Sequence, residues 1–405
     1  MKTRRVVLLS TIWLFFLPVW EENNSIFPQP ASLYLAIQQH PSLLDHRFRL
    51  FVNHYEQWLS NRLKEEGVPG AAMAIVKKGV TAKISTHGQR DLITSKAVDK
   101  HTVFRVASLS KGFTGLLATT MAQDSLVEWD APLCKWLPEV QFKTCDYSER
   151  LQLQHLLTHT TGLPRHTYSN LLNMGRSYQN ILSLLPLVEP AHPVGTYHSY
   201  QNVTFNLAGD MLAAAAGTSF EQLITDNIFR PIGMSDASVT FEAMKTHPNH
   251  ALPCRRTASG YAPDRLEPDY YAVPAAAGVN ASIYDMAKYL KLAMGYYPEV
   301  ADSTALQQAY QPLIPIPAAN YMLREWRPLK AAHYGMGWRI VEKEGYTVIT
   351  HSGYVNGYRA EIAFCLEEEI GIVILSNAPN STVGQSAPAF FRRYFQQYLN
   401  DQPTT

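Results

Sequence analysis

A serine and a lysine three residues apart have the types and spacing needed for acyl transfer. Ser108 and Lys111 follow the extended segment 102–104 and open an apolar helix that the pattern predicts to end near residue 123. Residues three apart share one helix face, so the lysine reaches the serine oxygen. The positive end of the helix dipole favours an oxyanion there, and a buried lysine tends to lose its proton or to pair. We therefore predict that Ser108 is a nucleophile assisted by Lys111, although Ser108 also fits a plain helix cap.

A tyrosine and an asparagine two residues apart would add a hydroxyl and an amide to such a site. Five Tyr-x-Asn triplets occur, beginning at Tyr168, Tyr178, Tyr200, Tyr354 and Tyr398. We select Tyr200 and Asn202, because a turn over 193–196 precedes them and a long helix follows. Tyr200 would shuttle the proton if cations lower its pKa from about 10. Asn202 would bind a substrate amide or the lysine. A capping asparagine beside a packed tyrosine is the structural alternative.

A third candidate element, His351-Ser352-Gly353, follows the predicted strand 346–350. Gly353 would let a substrate backbone approach the edge of the strand. His351 is expected to donate a hydrogen bond to a substrate carboxylate or to Tyr200. Because a single histidine is more often structural, this element counts as a substrate-binding segment only together with the other two.

His155 and His159 have the i, i+4 spacing of a zinc-binding pair. No glutamate follows His155, the turn begins at Thr160, and no third ligand is evident. We predict no metal site and no cofactor.

The chain contains four cysteines, at positions 134, 145, 254 and 365. In an exported protein a bridge between Cys134 and Cys145 would close a short polar stretch, while four buried free thiols are an equally weighted alternative. The absence of Cys-x-x-Cys argues against a redox or zinc-ribbon site.

The elements around these residues predict an α/β fold of the α+β type, with one mainly antiparallel sheet built from both chain ends and an inserted helical subdomain. The predicted helices are 45–66, 202–217, 219–229, 283–294 and 387–399, and the predicted strands are 71–77, 80–86, 337–343, 346–350, 358–365 and 371–376. One domain is expected over 45–400, with its sheet subdomain at about 45–110 and 295–400 and its helical subdomain at about 111–294. The groove between the subdomains is the expected small-molecule site.

The N-terminus has the polarity of a secretion signal, because Lys2, Arg4 and Arg5 precede an apolar run over 6–19. That run is shorter than the roughly 20 residues of a spanning helix. We predict a signal peptide or N-terminal anchor over 1–22 and a linker over 23–44, with a buried helix as the alternative. The protein would be periplasmic or secreted, and associated with a membrane if the segment is retained.

Composition narrows the range of partners. The 405 residues are 46% apolar, and 35 Lys and Arg against 34 Asp and Glu leave a net charge of +1. With no basic block, nucleic acid is excluded as an expected partner. A small molecule or a peptide is the expected substrate.

Taken in order, these segments resemble the family of class C β-lactamases and D-alanyl-D-alanine peptidases, which also includes esterases. The matching segments are Phe104 to Lys111, Leu156 to Leu163, Tyr200 to Asn202, Pro231 to Met234, His351 to Gly353 and Ser376-Asn377. The likeness covers about residues 45–395. It supports Tyr200 over Tyr168, because the family's Tyr-x-Asn precedes the helix leading to the Pro-Ile-Gly-Met turn.

The resemblance implies a β-lactamase/transpeptidase-like fold in which Ser108 is acylated while Lys111 and Tyr200 manage its proton. It also implies an oxyanion hole formed by the backbone N–H groups of Ser108 and Tyr354, and a structural role for His159. We accordingly expect a serine hydrolase that forms an acyl-enzyme from an amide, lactam or ester. A catalytically weak penicillin-binding or sensor protein on the same fold is the alternative.

One departure from the family concerns the third element. Class C β-lactamases usually carry Lys-Thr-Gly where this chain has His351-Ser352-Gly353. A histidine with a pKa near 6.5 is mostly neutral at pH 7, so it attracts a substrate carboxylate less than a lysine does. We therefore expect neutral esters or amides to compete well with β-lactams.

Overall fold

Strands from both ends of the chain meet in one sheet. The computed structural model describes residues 44–317 and 319–399. Its strands are β1 (Gly70–Lys77), β2 (Val80–Asp91), β3 (Lys96–Ala97), β4 (Val103–Arg105), β5 (Cys254–Thr257), β6 (Gly260–Pro263), β7 (Asn280–Ser282), β8 (Ile314–Pro315), β9 (Ala331–Tyr334), β10 (Arg339–Lys343), β11 (Tyr346–Val355), β12 (Tyr358–Cys365) and β13 (Ile370–Ser376). The main sheet has the order β3-β2-β1-β13-β12-β11-β10-β9-β8, and β1 lies antiparallel to β13. The predicted antiparallel sheet built from both chain ends is confirmed.

Helices cover both faces of this sheet. In the described residues they are α1 (His46–Glu65), α2 (Ser110–Gln123), α3 (Leu133–Trp136), α4 (Cys145–Arg150), α5 (Leu153–Leu157), α6 (Ser169–Asn173), α7 (Tyr178–Leu182), α8 (Val203–Ala216), α9 (Phe220–Ile224), α10 (Phe241–Thr246), α11 (Pro274–Ala277), α12 (Ile283–Ala293), α13 (Ser303–Ala309) and α14 (Ser381–Arg393). The terminal helices α1 and α14 pack on one face, and α2, α8 and α12 contribute to the core on the other. This arrangement is the predicted sheet with an inserted helical part.

The neighbouring strands β1 and β13 are almost wholly apolar, and every residue of both strands is buried. Successive side chains of a strand point to opposite faces of the sheet. In β1, Ala72 and Ala74 join the core under the middle helices, whereas Met73 and Ile75 join the core under α1 and α14.

The two terminal helices are joined by a cap between distant parts of the chain. The Glu66 carboxylate, just after α1, accepts hydrogen bonds from the backbone N–H groups of Ser381 and Thr382, both at 2.9 Å. The side chain of Asn380 caps the N-terminus of α14. The helix predicted over 387–399 begins six residues earlier, at Ser381. Proline is typical of a first helical turn, but Pro388 lies inside this helix.

Two predicted elements near the candidate site have different boundaries in the structure. The strand predicted over 346–350 continues to Val355, so the segment His351 to Gly353 lies inside β11 rather than after its end. The helix predicted from Ser108 begins as a 3-10 turn over Ala107–Leu109, and α2 follows from Ser110.

Further expectations concern the N-terminal segment and the cysteines. The predicted signal or anchor over 1–22 and the linker over 23–44 lie outside the described residues, apart from Leu44. Within the described ranges, no helix is both long and apolar enough to span a membrane. The bridge considered between Cys134 and Cys145 is not formed, and all four cysteines are free thiols. Apolar packing holds that stretch instead, with Phe142 against Tyr147.

Glycines in α2 allow the close packing that places this helix. A Cβ atom on Gly112 would lie 2.5 Å from a ring carbon of Trp338, and one on Gly115 would overlap the carbonyl oxygen of Met336. The helix therefore touches the chain just before β10 at two points that exclude a larger side chain.

We predict that Gly115→Ala lowers the free energy of unfolding by about 1–3 kcal/mol, the usual cost of overpacking, despite the higher helix propensity of alanine. Chemical denaturation measures this change. Thr120→Ala, at a half-buried position of the same helix, is the control and should change the free energy by less than about 0.5 kcal/mol. Equal stability of Gly115→Ala and wild type would contradict this packing.

Candidate active site

Ser108 is presented by a tight turn between β4 and α2. The preceding residue, Ala107, has a φ of 51°, an uncommon conformation for a residue with a side chain. Ser110 stabilises the turn: its hydroxyl donates to the carbonyl of Ala107 at 2.6 Å and accepts from the N–H of Val279 at 3.0 Å. Ser108 lines a cavity of about 400 Å³ between the sheet and the middle helices.

Lys111 is fully buried directly beneath the serine. Its Nζ lies 3.3 Å from Ser108 Oγ, 2.8 Å from Asn202 Oδ1 and 2.9 Å from the carbonyl oxygen of Ala276. Burial, reinforced by the positive charge of Arg339, holds the lysine pKa well below its usual value. Within the described ranges, no carboxylate forms an ion pair with it.

The three neighbours of Lys111 match the hydrogen-bonding capacity of a neutral amine. A neutral amine has two hydrogens and one lone pair. Asn202 Oδ1 and the Ala276 carbonyl accept the two hydrogens. Its lone pair would then face Ser108 Oγ at 3.3 Å, whereas an ammonium would donate its third hydrogen to that oxygen, so the lowering of the pKa by burial is what favours the neutral form. The site therefore favours Lys111 as a base for the serine.

Tyr200 contacts the serine from the other side. Its hydroxyl lies 2.9 Å from Ser108 Oγ and donates to it. Burial raises the pKa of Tyr200 to about 12, although Arg339 and the bond to Ser108 oppose this shift. The expectation that cations lower this pKa is therefore wrong, because desolvation outweighs their attraction. Tyr200 stays protonated at neutral pH and acts as a hydrogen-bond donor.

Asn202 stands at the start of α8, but its side chain does not cap that helix. Its amide oxygen accepts from Lys111, and its amide nitrogen lies 3.5 Å from Ser169 Oγ. The structural alternative considered from sequence, a capping asparagine, does not describe its contacts.

The other tyrosines of the five triplets have no contact with Ser108 Oγ in the described structure. Tyr168 donates to the carbonyl of Leu184, and Tyr178 donates to Asp210. Tyr398 bonds to Asp45 on the far side of the sheet. Tyr354 lies at the cavity and is 59% exposed.

His351 is fully buried and does not line the cavity, although its ring centre lies 6.4 Å from that of Tyr200. Its Nδ1 must donate to the carbonyl of Ser352, at 2.9 Å, because a carbonyl only accepts. Its Nε2 therefore accepts from the Tyr334 hydroxyl at 3.0 Å. Burial keeps the histidine neutral by holding its pKa well below the usual value. The expected bond to Tyr200 is not formed, and this geometry does not support contact with a substrate carboxylate.

The same chain of hydrogen bonds continues to His159. His159 Nδ1 accepts from the backbone N–H of Gln201 at 3.2 Å, so its Nε2 carries the proton and donates to Tyr334 at 3.2 Å. Tyr334 thus links β11 to the segment that carries Tyr200. His159 has the structural contacts that the family resemblance implied. His155, the other half of the zinc-like pair, bonds to the backbone of Gln152.

Gly353 lets β11 approach the nucleophile turn. A Cβ atom at this position would overlap the carbonyl oxygen of Val106 and lie 3.2 Å from Ala107 Cβ. The close approach places Ser352, Gly353 and Tyr354 in the cavity wall together with Ser108. Tyr354, the residue after Gly353, therefore lies beside the turn that carries Ser108.

Sequence reasoning missed Arg339. This residue begins β10, is only 3% exposed, and lines the cavity. Its Nη1 lies 3.2 Å from Ser352 Oγ, and its guanidinium carbon lies 5.9 Å from the centre of the Tyr200 ring. The available signal was a charged residue directly before the apolar pair Ile340-Val341 of this strand.

Known proteins similar to this chain were found by sequence. The family model Beta-lactamase matches residues 55–393. "Unguisins hydrolase ungD" of Aspergillus violaceofuscus is 26% identical over 364 residues, which is 80% of this chain and only 61% of that protein. "Beta-lactamase" of Escherichia coli is 24% identical over 348 residues, which is 78% of this chain and 85% of that protein.

A solved structure supports the fold. The octameric penicillin-binding protein homologue from Pyrococcus abyssi aligns with a TM-score of 0.74 at 23% identity, covering 85% of this chain and 76% of that chain. At this identity the likeness shows the fold alone. It confirms the predicted fold class.

We predict that Tyr334→Phe destabilises the protein. The change leaves His159 Nε2 and His351 Nε2 without their partner, and each buried unpaired group costs about 1–3 kcal/mol. Denaturant unfolding measures the loss. Tyr168→Phe serves as the control, because the Tyr168 hydroxyl donates to an uncharged carbonyl group. Tyr178→Phe is less suitable, because the Tyr178 hydroxyl donates to a carboxylate. If Tyr334→Phe unfolds no more easily than Tyr168→Phe, the chain of hydrogen bonds is not stabilising.

Proposed function

Because the chain belongs to the Beta-lactamase family and its relatives include named hydrolases, we propose that it is a serine hydrolase that cleaves amide, lactam or ester bonds through an acyl-enzyme on Ser108. One observation carries the proposal. Ser108 Oγ lies between the amine of Lys111 and the hydroxyl of Tyr200. Burial lowers the pKa of Lys111, which favours the neutral amine, and raises the pKa of Tyr200, which keeps the phenol protonated.

In the first step Ser108 Oγ attacks the substrate carbonyl carbon and its proton passes to Lys111. The negative charge moves to the carbonyl oxygen, which the N–H groups of Ser108 and Tyr354 would stabilise. The N–H of Ser108 lies in the first turn of a helical segment, where backbone donors have no partner within the helix. Each such donor is worth about 2.7–4 kcal/mol in a transition state.

In the second step the bond to the leaving group breaks and Tyr200 donates its proton to the departing nitrogen or oxygen. The ammonium of Lys111, 4.7 Å from the centre of the Tyr200 ring, returns a proton to the tyrosinate. The net result is transfer of the serine proton to the leaving group. Water then attacks the acyl carbonyl carbon and gives a proton to Lys111, the bond between the acyl group and Ser108 Oγ breaks, and the proton passes from Lys111 to Oγ as the acid is released.

A catalytically weak penicillin-binding or sensor protein is the second candidate. It would acylate Ser108 and fail to release the acyl group. The likeness to a penicillin-binding protein homologue favours this candidate at the level of fold alone. The two candidates differ in turnover and not in acylation.

We predict that Ser108→Ala abolishes both fluorophosphonate labelling and hydrolysis while the protein stays folded. Tyr200→Phe should lower kcat by about 10²–10⁴-fold, the usual contribution of a positioned proton donor. Tyr168→Phe is the matched control and should retain wild-type rates. Turnover of p-nitrophenyl butyrate, nitrocefin and a D-Ala-D-Ala peptide is measured in each variant.

Undiminished hydrolysis by Ser108→Ala would refute the proposal. Labelling of wild type without turnover of any of the three substrates would favour the sensor. Loss of hydrolysis in Tyr168→Phe, with hydrolysis retained in Tyr200→Phe, would show that Tyr168 belongs to the functional triplet.

A further inference from the structure

One of the carbonyl groups that accept a hydrogen from Lys111 belongs to a helix of a single turn. Ala276 lies in α11, which spans only Pro274–Ala277, and its carbonyl oxygen is 2.9 Å from Lys111 Nζ. So short a helix has few internal hydrogen bonds, because the first N–H groups and the last carbonyl groups of any helix lack partners within it. The position of this acceptor must therefore be fixed by contacts from other elements.

Two buried side chains, from two other helices, hold the residue before Ala276. Asn206 of α8 accepts, through its Oδ1 atom, a hydrogen bond from the backbone N–H of Ala275 at 3.0 Å. The hydroxyl of Thr114 in α2 donates to the carbonyl oxygen of Ala275 at 2.7 Å. Asn206 and Thr114 are both buried. Both polar groups of the Ala275 backbone are therefore held, one by α8 and one by the helix that carries Lys111.

A carboxylate fixes the direction in which the Asn206 amide faces. Asn206 Nδ2 lies 3.3 Å and 3.4 Å from the two carboxylate oxygens of Asp210, one turn further along α8. The Tyr178 hydroxyl donates to the same carboxylate at 2.7 Å. Burial raises the pKa of Asp210 to about 6, which leaves most of it ionised at neutral pH and able only to accept. The amide nitrogen must therefore face Asp210, and the amide oxygen must face the N–H of Ala275.

A glycine on the same helix brings α8 close to α11. A Cβ atom on Gly209 would lie 2.4 Å from Ala275 Cβ, so a methyl group does not fit between the two helices. Packing and hydrogen bonding from α8 therefore act on the same residue of α11, and a change in either is passed to the carbonyl group that follows it.

We propose that Asn206 is a positioning residue for the base: by holding Ala275, it keeps the carbonyl of Ala276 where it accepts from Lys111 and directs the amine toward Ser108. If that acceptor moved, the amine could rotate away from Ser108 Oγ, and small displacements of a reacting group cost large factors in rate. Asn206 does not line the cavity and acts only through Ala275. The inference rests on the proposed hydrolase function and adds a residue outside its reacting groups.

The test removes the acceptor of the Ala275 N–H. Leucine has the branched shape of asparagine without its polar atoms, so Asn206→Leu keeps the site dry. It should lower kcat for p-nitrophenyl butyrate about 10- to 100-fold, with KM changed less than about threefold. In ¹⁵N-lysine-labelled protein followed by NMR, Lys111 should titrate at a lower pH than in wild type, because a carbonyl oxygen stabilises an ammonium more than an amine.

Asn377→Leu is the matched control, because it removes another fully buried asparagine. The Asn377 amide nitrogen lies 3.2, 3.2 and 3.0 Å from three backbone carbonyl oxygens, those of Gln89, Arg90 and Leu252. None of these residues contacts Lys111 or Ser108. The control should be destabilised in denaturant as Asn206→Leu is, while its kcat stays within about threefold of wild type and the titration of Lys111 is unchanged.

If Asn206→Leu does not fold, Asn206→Ala replaces it, because a water molecule can then reach the Ala275 N–H. Its kcat should still be at least about threefold lower, and Lys111 should still titrate at a lower pH.

Three results would overturn the assignment of Asn206. The first is wild-type kcat in a folded Asn206 variant, and the second is a loss of kcat without a downward change in the titration of Lys111. The third is an equal loss of kcat in the Asn377→Leu control, which would mean that lost stability alone explains the effect. Failure of wild type to label or hydrolyse would instead refute the proposed function, since the Lys111 titration tests Asn206 without turnover.

Discussion

The active site depends on one constraint, the burial of Lys111 without a carboxylate partner. Placing an ammonium in such a position is costly, so the folded protein shifts the lysine toward its neutral form. Because the folded pKa lies below the unfolded one, this residue opposes folding at low pH, and its cost disappears as the pH rises above the unfolded pKa. The fold bears that cost and gains a base at 3.3 Å from Ser108 Oγ.

The rest of the fold holds neighbours around that amine. Asn202, at the start of α8, and Ala276, in α11, supply its two acceptors. Glycines in α2 admit the chain before β10, which brings Arg339 and its positive charge into the same cavity. Arg339 therefore helps to lower the pKa of Lys111.

The sequence allowed prediction of the features that depend on local spacing. Ser108 and Lys111 are one helical turn apart, and Tyr200 could be selected among five triplets from its flanking turn and helix. The pKa of Tyr200, the partner of His351 and the role of Arg339 could not be predicted. Each depends on burial or on strand register, which bring Tyr334 to His351 and Arg339 to Ser352 across the sheet.

The most direct test of this account is the protonation of Lys111 itself. In protein labelled with ¹⁵N-lysine, the Nζ signal of Lys111 is identified by its loss in Lys111→Arg and followed by NMR from about pH 5 to about pH 12, a range that includes the ordinary lysine pKa. We predict that this signal titrates at a pH well below that of the other lysines, because burial lowers the pKa of Lys111. Titration of Lys111 near 10.5, the ordinary lysine value, would mean that the resting site holds an ammonium and would contradict its role as the base.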